Sequence, residues 1–251
     1  LLIANIVNLG ADLAAMGAAV GLLIGGPLWL YTLLFGAFCV IVEVWLSYER
    51  YASVLKWATL SLFAYVAVVI VAHVPWGEAL TSLVVPRIEY TGAYATAVVA
   101  ILGTTISPYL FFWQASQEIE EQKRHKAKPL CITPKDAGPE LKRIRIDTLT
   151  GMAFSSIVSL AIVFATAATL HANGVLDIAT SAQAAEALRP IAGNFTFALF
   201  ALGIIGTGLL AVPVLAGSAA YAVTEMFGIA SSLDAKPRKA RLFYGTIAVT
   251  T

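Results

Sequence analysis

The chain has 251 residues, 59% hydrophobic and 12% charged, with a mean hydropathy of +0.82 and a formal net charge of +1. A soluble domain carries about twice that charged fraction, so a water-facing globule is excluded, and the near-zero charge leaves no electrostatic footprint for nucleic acid. Uncharged stretches of about twenty residues recur along the whole chain, as a bilayer demands, which reads as an all-α integral membrane protein.

In chain order, the apolar segments predict helices at about 1–24, 28–46, 52–74, 93–121, 148–172 and 194–227, with a seventh starting at 242–251. They form one transmembrane domain. Residue 1 is Leu and both ends fall inside apolar segments, which reads as a piece of a longer chain.

If the segments alternate across the membrane, the Lys and Arg residues sort by side. Fourteen fall in the loops 47–56, 117–147 and 228–241, and only Arg87 and Arg189 fall on the other side. By the positive-inside rule the basic loops are cytoplasmic, although basic loops also attract anionic lipid or partners. The first segment then runs outward and the fourth inward. The sixth is longer than a span needs, so Tyr221 to Phe227 are expected to project into the cytoplasm.

The first segment holds the one formal charge read as deep in a span, Asp12. Spacings of three and four place Asn5, Asn8 and Asp12 on one helical face. Such a stripe suits an ion or proton path, with an interhelical hydrogen-bond cluster as the alternative, for which an ionised Asp is an inefficient glue.

In the fourth segment, Gly103-Thr-Thr-Ile-Ser107-Pro108-Tyr109 interrupts the apolar run. Pro108 has no N–H to give the carbonyl four residues back, that of Thr104. Ser107 stands as an N-cap and Pro108 at the first position of a new helix, so two half-helices meet near mid-membrane. The freed carbonyls there suit a hard cation, while a plain proline kink would look the same in sequence. Tyr109 and Gln114 follow as pore-lining groups or hydrogen-bond partners.

The sixth segment carries Pro213 among small residues at Gly203, Gly206, Gly208, Gly217 and Ser218, which favours close helix packing over a hinge. Cys39 and Cys131 offer no disulfide framework, and His73, His125 and His171 are too scattered for a metal cluster. Hydrolase and phosphate-loop motifs are missing, so the chain reads as no enzyme, without a resident cofactor.

Gly10-Ala-Asp12-Leu13-Ala14 resembles the third helix of the NRAMP family of divalent metal transporters, where the pattern is Thr-Asp-Leu-Ala-Glu. Gly103 to Gln114 resembles that family's broken sixth helix, with its Met-Pro-His-Asn-Leu core. The resemblance covers helices three to eight and the start of nine. It implies a LeuT-type inverted-repeat fold with a cation at the midplane. Thr104 matches the position whose backbone carbonyl contacts the metal, Ser107 the metal-binding Met, and Tyr109 and Gln114 two His positions linked to proton movement. Asp12 keeps the acidic residue, whereas the Glu three residues on is Ala15. The first helix, with its Asp-Pro-Gly-Asn ligands, and the tenth lie outside the chain.

A hydroxyl is a harder ligand than a thioether, so Ser107 implies transport of Mn²⁺ or Mg²⁺ with less discrimination against hard cations. Losing both His and the Glu weakens the case for proton coupling. The expectation is a secondary transporter of divalent metal cations in the lipid bilayer, with Asp12, Asn8, Asn5, Tyr109 and Gln114 on its ion or proton path. A transporter of a small organic solute on the same fold, or a non-transporting sensor, are the alternatives.

Overall fold

The computed structural model describes residues 1–45, 53, 57, 59–72, 74–85, 88, 90–105, 108–124, 132, 134–229, 233, 235 and 237–251. The first two helices, α1 (Leu2–Ile24) and α2 (Leu28–Trp45), form an antiparallel hairpin. Gly25 and Gly26 turn the chain with φ of 75° and 100°, a left-handed backbone that favours glycine. Tyr31 donates its hydroxyl to the Gly25 carbonyl at 2.6 Å and closes the turn.

A 3₁₀ turn at Thr59–Leu62 leads into α3 (Phe63–Val71), followed by α4 (Trp76–Val84), α5 (Gly92–Thr105) and α6 (Pro108–Arg124). The long helices α7 (Pro134–Thr169) and α8 (Ser181–Met226) come next, and α9 (Arg241–Thr250) ends the chain. No strand occurs among the described residues. Of the expected segment at 52–74, residues 53, 57, 59–72 and 74 are described, and they include the 3₁₀ turn and α3.

Among the described residues, four helical stretches are long and apolar enough to cross a membrane: Leu2–Ile24, Leu28–Trp45, Ala137–Asn173 and Gly193–Met226. Their outer faces expose large apolar side chains, as do the shorter helices; Trp29 is 65%, Ile70 75% and Phe111 67% exposed. Contiguous apolar exposure of this kind suits lipid. Within these helices threonine hydroxyls donate to the carbonyl four residues back, as Thr169 does to Ala165 and Thr224 to Ala220. That local bond lets a hydroxyl enter an apolar helix without an interhelical partner.

Helices α6 and α7 outlast the apolar runs that predicted them. Residues 122–124 and 134–147, expected as loop, are helical; Glu, Lys and Arg are good helix formers even though lipid would reject them, and α7 runs on through Pro139. Apolarity marks where a helix meets lipid and says little about where it stops.

Helix α8 is the hub. Thr180 and Gln183 close a capping box at its start, Gln183 N–H donating to Thr180 Oγ1 and Thr180 N–H to Gln183 Oε1, both at 3.2 Å. Gly193 breaks the helical backbone at φ 84°, whereas the helix runs on through Pro213. One core, around Tyr65, Val68, Leu188 and Phe200, joins α3, α7 and the first half of α8. A second, around Leu9, Met16, Cys39, Leu215 and Phe243, joins α1, α2, α9 and the second half. Gly206 lies against the Ser61 side chain and Gly217 against the Trp113 ring so closely that a Cβ on either would overlap. The small residues of α8 therefore serve packing.

Candidate functional site

The apolar run of 93–121 is divided where Pro108 requires. Helix α5 ends at Thr105 and α6 begins at Pro108, its first residue, where a missing N–H costs nothing. At Thr104 and Pro108 the backbone alone is described, and Ser107 lies outside the described residues. The carbonyl end of α5 and the amide end of α6 face the same interruption, partial negative charge from one and partial positive from the other.

Below the break, α6 has two unlike faces. Tyr109 and Trp113 pack on the inner core of Leu9, Leu215 and Phe243, while Ser116 and Glu120 are 8% and 7% exposed. Spacings of four, three and four put these four residues on one face. Gln114 is five residues beyond Tyr109, and it is exposed, donating Nε2 to Glu118 Oε1 at 3.3 Å. Tyr109 and Gln114 thus lie on different faces of α6, and Gln114 is a hydrogen-bond partner of Glu118.

The helix-one stripe also divides. Asn5 is 1% exposed and donates Nδ2 to the Leu215 carbonyl at 3.0 Å and to Ser218 Oγ at 2.8 Å. It is an interhelical hydrogen-bond partner of α8. Asn8 is exposed and Asp12 half-buried. The buried face of α1 is that of Asn5, Leu9, Leu13 and Met16, and at about 100° per residue Asn8 sits some 60° off Asn5, away from that face. Of the three residues, Asn5 alone is fully buried, and it takes the interhelical hydrogen-bond role.

Asp12 is not the one carboxyl deep in a span. Glu43, near the end of α2, is 2% exposed, and neither of its oxygens has a hydrogen-bond partner among the described residues. No sequence expectation names Glu43, which stands three residues from the end of its apolar run. Glu120 lies inside the expected 93–121 segment, and the four-three-four register from Tyr109 is the one sequence signal that points to it.

Among the described residues no group of three or more His, Cys, Asp and Glu is placed to hold a metal.

The whole chain, residues 1–251, matches the family model described as natural resistance-associated macrophage protein-like, Nramp. The chain belongs to the Nramp family. Its fold is accordingly the family's all-α, LeuT-type membrane architecture, and it is a multi-pass membrane protein. Three similar relatives are each named divalent metal cation transporter MntH. That of Chromohalobacter salexigens is 30% identical over 135 residues, 52% of this chain and 28% of the relative. That of Deinococcus radiodurans is 26% identical over 150 residues, 58% and 31%, and that of Clostridium acetobutylicum 24% over 146 residues, 58% and 32%. The matched stretch spans less than a third of each relative.

Proposed function

We propose that this Nramp chain forms part of a secondary transporter of divalent metal cations that works by alternating access around the α5–α6 break. The observation that supports it most is the interruption itself: a helix that ends at Thr105 and restarts at Pro108 inside an apolar run. Non-helical backbone at membrane depth is tolerated where it lines protein or water, and half-helix ends of this kind bind ions in transporters.

In this reading the Thr104 carbonyl and the Ser107 hydroxyl contact the cation, and Asp12, half-buried on α1, tunes the local potential. With Tyr and Gln where the family has His, transport is expected to proceed without stoichiometric proton movement. The intact protein in proteoliposomes should take up Mn²⁺ and Mg²⁺ down their gradients. Folded protein that passes neither ion would refute the reading. Ser107→Met should then raise the Mn²⁺-to-Mg²⁺ flux ratio roughly tenfold, since a thioether prefers the softer ion. An unchanged ratio would take Ser107 out of the site.

A further inference from the structure

We infer that Glu120 is a positioning residue for the broken helix, clasping its inner half to the far end of α8 and to the segment that follows. Glu120 Oε1 accepts two hydrogen bonds, from the Tyr221 hydroxyl at 2.5 Å and from the Leu233 N–H at 2.8 Å. Tyr221 is 2% exposed and sits between the rings of Trp113 and Phe243. The segment carrying Leu233 is itself held, because the Tyr244 hydroxyl of α9 bonds the carbonyls of Leu233 and Ala235, both at 3.0 Å. One carboxylate therefore joins α6, α8 and the approach to α9.

Glu120 lies twelve residues from Pro108, about 18 Å along a rigid helix. Movement of the inner half about the break must displace that far end, and so must part Glu120 from Tyr221 and Leu233. A second tether runs from Glu118 to Arg143 of α7 at 2.6 Å, but Arg143 is 40% exposed, and exposed pairs contribute little. Bonds to a buried carboxylate are the stronger constraint.

The clasp is also incomplete. Glu120 Oε2 and, one turn back, Gln117 Nε2 are buried without a hydrogen-bond partner among the described residues. Opening would give both atoms water while breaking the two bonds at Oε1. Gain and loss are of one kind and similar size, which is how a latch differs from a lock.

This inference rests on the break being the moving part of a transporter, yet its test needs no ion flux. Ser116, 8% exposed on the same face, is replaced by Cys in a Cys131→Ser background. A membrane-impermeant thiol reagent is applied to the basic-loop side of vesicles carrying the intact protein. Labelling should be slow with Glu120 and Tyr221 in place and about tenfold faster in Tyr221→Phe and Glu120→Gln, the fold-change expected for loss of a charge-assisted hydrogen bond. A Cys at Ala201, 0% exposed in the other core, should stay slow in both. Unchanged labelling at 116 in the folded Tyr221→Phe protein overturns the inference, and so does an equal rise at 201, which would mean general loosening. If Glu120→Gln fails to fold, Tyr221→Phe decides alone. Failure of metal flux with a positive labelling result refutes the transport reading and leaves the clasp standing.

Discussion

Pro108→Ala should lower divalent flux in proteoliposomes by about tenfold or more while raising the thermal midpoint of the purified protein. The substitution returns an N–H to position 108 and removes a ring that collides with the carbonyl of Thr104. In a helix interior Pro is about 3 kcal/mol less favourable than Ala, so the substitution lowers the cost of a continuous helix across Thr105 to Pro108 by up to that order. A healed helix holds the Thr104 carbonyl in an ordinary bond and withholds it from a cation. It also welds α5 to α6 and removes the pivot. Parental flux in a stable Pro108→Ala protein would show that the interruption is a kink without a role in transport. Pro213→Ala is the matched control: α8 stays helical through that residue, and flux should not fall.

The contrast between Pro108 and Glu120 shows what sequence could and could not tell. The break at Pro108 is local chemistry, set by one missing N–H, and the spans follow from apolar runs that lipid requires. The capping box at Thr180 and Gln183 is equally local and could have been read from its Thr-x-x-Gln spacing. Glu120 depends on Tyr221 and Leu233, 101 and 113 residues away, and no periodicity reports such a meeting. Asn8 fell to another cause: residues within about 60° of each other on a helical wheel look like one face, but packing against α8 cuts the wheel between Asn5 and Asn8. Glu43 is likewise out of reach of any local pattern, since its burial comes from the helices packed around α2.

Glu43→Met should stabilise the protein, by about 1–3 kcal/mol, although it alters a residue that is 98% buried. A buried carboxyl with both oxygens unpartnered among the described residues carries its desolvation cost without return. Met has a similar length and no group to desolvate, and Cys39, one turn earlier on the same face and 1% exposed, already sits among Leu9, Leu13 and Ile247. The thermal midpoint should rise by roughly 2–4 °C per kcal/mol in a chain of this size. Glu43→Ala separates this cause from packing: it removes the same oxygens but opens a cavity, so the gain should vanish or reverse. A lower midpoint for Glu43→Met than for the parent would mean that the carboxyl holds a ligand or a donor. Natural chains tolerate such a cost chiefly where a polar atom has work to do, so a positive shift in stability makes Glu43 the next position at which flux should be measured.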